Sequence, residues 1–462
     1  MGFRESLLPM LGIASVNLLI ALDQTVISTA LPSIAQELDG FDWYAWVAAA
    51  YLLGSVVAVP VFGRLGDFFG RKPFIVASIA LFTGASLLCA ASPTVIALSA
   101  ARLLQGIAGG MMVGTAYAAM ADLFPDPKAR LRWQMVLAVS YGVATAAGPT
   151  LGGLISEQVG WRATFLVNVP VGIFGLVCTV RHMPRVAGTL THLHGARALL
   201  DWPGAAWIVV VLCVLQVALH RLPEHGLDAG TLSLLVIALA GAAVLIATER
   251  RAQHPMLPLD LFTTHEHLVF FLLSFICGAA LFSLIFFVPL LLQQGLAMPP
   301  QQAGTAMTPM PVCLALGSIL NSAIVVKLKR PGVMLGVGFV LLLTCFVGLN
   351  QVDAGTSGWR LGMPLAGAGL GLGLLLNNLN VFGQQIVGKA RYGIFTALMQ
   401  STRMAGGMIG TAALGAWVAT AADSPLGLVD ALLHGFNVLG VLVAVALLLL
   451  RALPPISLSR QP

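Results

Sequence analysis

Residues 8–31 read LPMLGIASVNLLIALDQTVISTAL, an apolar run of membrane-crossing length with one acid, Asp23, set deep inside it. About 20 apolar residues at ~1.5 Å rise each cross the hydrocarbon core of a bilayer. The run is too long for a signal-peptide core and lacks a small-residue cleavage site, so it reads as a permanent span. Comparable runs recur at 44–62, 73–91, 95–120, 133–155, 163–183, 202–220, 231–248, 267–292, 303–325, 332–350, 360–382, 395–420 and 435–452. In lipid only a helix can satisfy its own backbone within one such segment. The expected fold class is an all-α membrane protein with 14 transmembrane helices.

Composition points the same way. Of 462 residues, 58% are hydrophobic and 9% charged, against about 25% charged in a soluble domain. The net charge of +6 is therefore no sign of a nucleic-acid partner, and what matters is where the basic residues fall. With both termini in the cytoplasm, 19 of the 24 Lys and Arg residues lie on that side. Arg162, Arg221 and Arg360 fall outside, and Arg102 and Arg403 lie within spans. Losing one span would invert every later loop and spoil this alternation. The expected location is a bacterial inner membrane, with the lipid bilayer as surroundings and the chain acting as a monomer. The six cysteines sit in apolar runs with no CxxC, and the pairs His192/His194 and His265/His267 lack a carboxylate frame. No disulfide, metal or cofactor is expected.

The loops leave no room for a soluble catalytic domain. The spans group as six, two and six. Residues 1–183 form an N-terminal half, 184–201 a cytoplasmic linker, 202–250 an inserted hairpin and 251–462 a C-terminal half. Short basic, turn-rich links at 63–73 and 326–332 occupy the same place in each half. Internal pseudo-symmetry of this kind is how secondary transporters are built, with a small molecule bound near the midplane between the halves.

Charges inside spans are costly and mark pathways or proton sites. Asp23 is eight residues from the outer end of its span, and Arg102 about seven from the outer end of the fourth. At ~1.5 Å per residue the two sit at matching depth and would pair if their helices are neighbours. Arg102 favours the ionised carboxylate and desolvation opposes it, so a proton could load and leave as water access alternates. Arg403 in the thirteenth span would meet a substrate anion or cap backbone carbonyls. Pro149, within Gly148-Pro149-Thr150-Leu151-Gly152-Gly153, is expected to interrupt and bend the fifth span, and its glycines permit close packing. Gly367, Gly369, Gly371 and Gly373 read as packing residues. Gln24, Asn321, Asn377, Asn378, Asn380 and Gln400 are polar candidates to line a cavity.

Four elements together resemble the major facilitator superfamily, specifically its fourteen-helix drug:proton antiporter branch. The stretch Leu22 to Pro32 is similar to that branch's first-helix motif, which implies a transport role for Asp23; Ser28 stands where Asn is common. Gly63, Asp67, Gly70, Arg71 and Lys72 resemble the superfamily's cytoplasmic gating loop, with Phe68 in place of a basic residue. Arg102-Leu103-Leu104-Gln105-Gly106 resembles the fourth-helix motif, whose arginine is tied to proton coupling. Gly148, Pro149, Gly152 and Gly153 resemble the antiporter motif of exporters, although Ala144 stands where Gly is usual. The resemblance implies the major facilitator fold and proton-coupled export of amphipathic drugs, with protons and a small molecule as partners. A dedicated exporter of one metabolite remains an alternative, because coupling motifs do not report substrate. A membrane-embedded enzyme is disfavoured by the lack of a catalytic constellation in the spans, and a sensor has no need of Asp67, Arg102 and the Gly-Pro run together. ATP-driven pumping is disfavoured by the lack of a GxxxxGK[ST] loop.

Overall fold

The structure, a computed structural model, describes residues 3–124, 127–186, 201–252, 259–328, 330–351, 358–387, 392–419 and 425–453. Among these residues the secondary structure is helical throughout. The first group is α1 (Phe3–Glu37), α2 (Tyr44–Phe69), α3 (Lys72–Ala91), α4 (Val95–Leu123), α5 (Pro127–Gln158), α6 (Trp161–Leu166) and α7 (Asn168–His182). A hairpin follows, α8 (Trp202–His225) and α9 (Ala229–Arg251). The second group is α10 (His265–Leu290), α11 (Pro300–Met307), α12 (Pro309–Ile324), α13 (Val333–Leu349), α14 (Gly358–Val387), α15 (Tyr392–Ala419) and α16 (Pro425–Leu449). The pairs α6/α7 and α11/α12 each make one membrane-crossing rod.

Eleven rods among the described residues are long and apolar enough to cross a membrane, and α13 is a shorter apolar helix. The remaining two, α5 and α15, are long, at 32 and 28 residues, but polar residues such as Tyr141, Thr145, Gln400 and Arg403 punctuate them. Polar positions in a membrane helix face the protein interior rather than lipid. Both helices do so. α5 packs across the bundle on α11 and α12, and α15 packs across it on α2.

The contacts repeat. In the first group α1 packs on α5 and α7, α2 on α4, and α3 on α4 and α7. In the second, α10 packs on α15 and α16, α12 on α14, and α13 on α14 and α16. Each pairing in one group has its counterpart in the other, and the crossings α2–α15 and α5–α11/α12 exchange under the same relation, as a two-fold repeat requires. The hairpin docks by α8 against α2 and α15. Asp228 caps α9 by accepting from the Thr231 amide at 2.7 Å. The bond from the Thr231 amide holds that carboxyl below the usual aspartate range, and Arg221 adds to the effect. The cap therefore persists above the folded-state value and fails only as pH falls through it.

Glycines set how closely the rods approach. Gly106, Gly110 and Gly114 recur every fourth residue along one face of α4. A Cβ on each would collide with a carbonyl of α2, those of Tyr51, Ser55 and Val59 in turn. This small-residue stripe lets two backbones touch where no hydrophobic effect drives them together. In the second group Gly369 and Gly373 of α14 do the same against the Met310 and Leu314 carbonyls of α12. The Gly148–Gly153 stretch departs from the expected interruption, because α5 runs through Pro149 as continuous helix. A proline removes one helical bond and need not end a helix whose neighbours hold it on both sides. Overpacking an ordinary core costs about 1–3 kcal/mol. Gly106→Leu meets fixed backbone and is expected to cost at least the upper end of that range, read as a lowered thermal midpoint in detergent; an unchanged midpoint would contradict the packing.

Candidate functional site

The glycine stripe of α4 continues one turn toward its N-terminus as Arg102, because residues 102, 106, 110 and 114 share a face. The matching carbonyls of α2 continue one turn to Val47, which accepts from Arg102 Nε at 3.4 Å. The backbone contact that admits glycine alone thus aims the arginine along α2 toward α1. There Arg102 Nη1 donates to Asp23 Oδ2 at 2.7 Å, with both side chains wholly buried. The guanidinium also lies 4.6 Å over the Tyr51 ring.

Gln105, three residues on and hence on an adjoining face of α4, closes a ring of bonds. It accepts from Arg102 Nη1 at 2.8 Å and donates to Asp23 Oδ1 at 2.7 Å and to Ser86 Oγ at 2.9 Å. Asn168, the first residue of α7, approaches Asp23 Oδ1 at 3.5 Å and Ser86 Oγ at 3.4 Å. Gln24, the next residue of α1, is partly exposed between buried neighbours. Both carboxylate oxygens are therefore held by donors, and the pair is neutral as a unit.

The structure brings together Asp23 and Arg102, which sequence depth alone matched. Gln105, Ser86, Asn168 and Tyr51 complete the site; Gln105 stood in the fourth-helix motif and Asn168 at the entry to the sixth span without a role assigned to either, and Ser86 and Tyr51 were not singled out by sequence. Gln105 had a signal in its i+3 spacing from Arg102; the others are unremarkable until the helices are packed. Among the described residues the second group has no equivalent ion pair at this register. One turn before Gly369 stands buried Leu365, where Arg102 stands before Gly106.

The other candidates fall in separate places. Gly70 ends α2 with φ +84°, a backbone that favours glycine. Lys72 donates to the Val180 and Met183 carbonyls at 2.9 and 2.5 Å, capping the negative end of α7. Arg71 packs beside Gly66, and Gly63 lies against Gly114 of α4. The Asp67 side chain lies outside the described residues. On α5, Gly148 and Gly152 face Thr25, Val26 and Thr29 of α1, while Pro149 and Gly153 meet Gly304 and Pro300 of α11. Asn321 of α12 and Asn378 of α14 are buried and exchange two amide bonds, at 3.0 and 2.7 Å. Asn377 is exposed. Gln400 accepts from Arg403 one turn along α15. His192 and His194 lie outside the described residues.

Hydrogen bonds joining the two groups cluster toward the end where α1 terminates. Gln293 Nε2 donates to the Thr29 carbonyl at 2.7 Å, and the Tyr44 hydroxyl to the Phe286 carbonyl at 2.5 Å. The Gln301 amide donates to Glu157 Oε2 at 3.0 Å, and the Thr150 and Thr308 hydroxyls lie 2.7 Å apart. Removing one partner of a buried ion pair costs about 3–5 kcal/mol, whereas replacing both is far milder. Arg102→Met is expected to lose that much in denaturant unfolding, and Asp23→Asn/Arg102→Met to recover most of it. Equal losses in the single and double variants would contradict a mutually dependent pair.

Residues 13–411 match the family model described as the Major Facilitator Superfamily. The chain is 31% identical over 415 residues to a protein of Bacillus subtilis named multidrug transporter protein MdtP, covering 86% of this chain and 72% of that protein. It is 30% identical over 418 residues to the tetracenomycin C resistance and export protein of Streptomyces glaucescens, covering 89% and 76%. Among solved structures, the nucleoside transporter NupG superposes with a TM-score of 0.69 at 13% identity, covering 96% of this chain and 98% of that one. The repeated helix pairing, the apolar rods and these likenesses agree, and the chain belongs to the Major Facilitator Superfamily as a multi-pass membrane transporter.

Proposed function

We propose that the chain is a proton-coupled antiporter of the fourteen-helix drug:proton branch, exporting amphipathic drugs or other small lipophilic compounds by alternating access. The observation that carries this reading is the Asp23 carboxylate, buried and held by Arg102 and Gln105. A proton arriving at Asp23 would cancel its charge and release the guanidinium, and loss of that proton would restore the bond. A pair that is stable only when both charges are present or both are compensated couples protonation to helix position. The names of the MdtP and tetracenomycin relatives support drug export.

Charge placement supports cytoplasmic termini in a bacterial inner membrane. On that orientation the cross-group bonds lie at the outer end, so the two halves, 1–183 and 251–462, are closed outside and the cleft opens to the cytoplasm. The loop Gly63, Asp67, Gly70, Arg71 and Lys72 then gates the inner side, with 184–201 as a cytoplasmic linker and 202–250 as the inserted hairpin. Gly148, Pro149, Gly152 and Gly153, lying between α1 and α11, form the outer hinge of the antiporter motif. Gln24, Asn321, Asn377, Asn378, Gln400 and Arg403 are the polar groups proposed for the substrate path, and the working unit is a monomer. A narrower reading, export of one endogenous compound, is favoured by the tetracenomycin relative, whose name specifies a single antibiotic.

Everted vesicles given a compound panel test both readings. Uptake is expected under an inwardly acid gradient, to vanish with an uncoupler and to vanish in Asp23→Asn with normal membrane levels. Uptake that survives the uncoupler would refute antiport, and a one-compound profile would favour the narrower exporter.

A further inference from the structure

Two aspartates cap the helices of the hairpin in the same way and are completed differently. Asp201 Oδ1 accepts from the Gly204 amide of α8 at 2.8 Å, and Asp228 Oδ1 from the Thr231 amide of α9 at 2.7 Å. The second oxygen of Asp228 takes Arg221, at 3.3 Å. The second oxygen of Asp201 is buried without a hydrogen-bond partner, on a residue only 8% exposed. Beside it stands another carboxylate. A Cβ on Gly204 would lie 2.4 Å from Asp201 Oδ2 and 2.6 Å from Glu249 Oε1 of α9, so the two oxygens converge over a glycine.

A buried carboxylate oxygen that meets no donor is costly, and a neighbouring carboxylate adds repulsion. The point calls for a cation. A pocket of about 390 Å³ opens here, lined by Asp201, Pro203, Val244, Ala247, Thr248 and Arg251. It joins a carboxylate and a guanidinium through an apolar wall. Val244 is exposed, and α9 also turns Val236, Ile237, Leu239 and Ile246 outward, an apolar surface for acyl chains to follow. A ligand that meets all three features carries a primary ammonium, a phosphate a short bridge away and an apolar tail. An ammonium offers three donors to carboxylate oxygens, a guanidinium pairs with phosphate, and basic pockets at the ends of membrane helices hold lipid headgroups.

We propose that this end of the hairpin binds one molecule of phosphatidylethanolamine, its ammonium on Asp201 beside Glu249 and its phosphate on Arg251. The first turn of α8 is also where the hairpin meets the first half, because Ala205 is buried against Val57, Val61, Phe62 and Leu65 of α2. The lipid is thereby seated beside the end of α2 that leads into the 63–72 loop.

Purified full-length protein in detergent, titrated with palmitoyl-oleoyl lipids and followed by native mass spectrometry, tests the site. One phosphatidylethanolamine is expected to bind about tenfold to a hundredfold more tightly than phosphatidylcholine, whose methylated nitrogen donates no hydrogen bond. Asp201→Asn keeps a side chain able to cap α8 and is expected to abolish this preference with the choline lipid unchanged. Arg251→Gln is expected to weaken both lipids equally. Val244→Trp fills the pocket with the charges left in place and is expected to weaken phosphatidylethanolamine by at least about tenfold. Equal binding of the two lipids by the native protein, a preference that survives Asp201→Asn, or an affinity untouched by Val244→Trp would each overturn the proposal. Soluble glycerophosphoethanolamine is expected not to compete. Competition by it at equal concentration would make the ligand a free headgroup and overturn the lipid assignment.

Discussion

A carboxylate and a guanidinium placed deep in a membrane protein are each costly alone and tolerable together, and much of the packing of the first half serves to keep Asp23 and Arg102 in contact. Arg102 reaches Asp23 because α4 lies backbone to backbone with α2, and α4 can lie there because Gly106, Gly110 and Gly114 have no side chains to obstruct it. Gln105 then draws in Ser86 of α3 and, with it, Asn168 of α7. The glycine stripe, the ion pair and the amide ring are one construction.

The second half keeps the scaffold and omits the charge. Gly369 and Gly373 reproduce the close approach of α14 to α12, but Leu365 fills the place of the arginine. Among the described residues, the wholly buried ion pair belongs to the first half. The polar helices α5 and α15 occupy equivalent positions and meet the opposite half.

The rods and their order were legible in the sequence, because about 20 apolar residues have one structural solution in lipid. So was the Asp23–Arg102 pairing, since equal depth leaves two opposite charges little choice of partner. The roles of Ser86, Tyr51 and Asn168 were not legible, because ordinary polar residues become informative only when helix rotation is known. Asn321 and Asn378 show the converse. As lone amides in spans they read as cavity lining, yet each bonds the other between α12 and α14, a pairing that needs the crossing of two helices to be seen. Pro149 likewise reads as a break, but neighbours on both sides carry α5 through it.

The account stands on proton exchange at Asp23 during the transport cycle. Its most direct test is proton release by purified protein in weakly buffered detergent, followed with a pH-sensitive dye on addition of the best-transported compound. Release from the native protein that is absent from Asp23→Asn is the predicted result. Equal release from both would place the proton elsewhere and contradict the central claim.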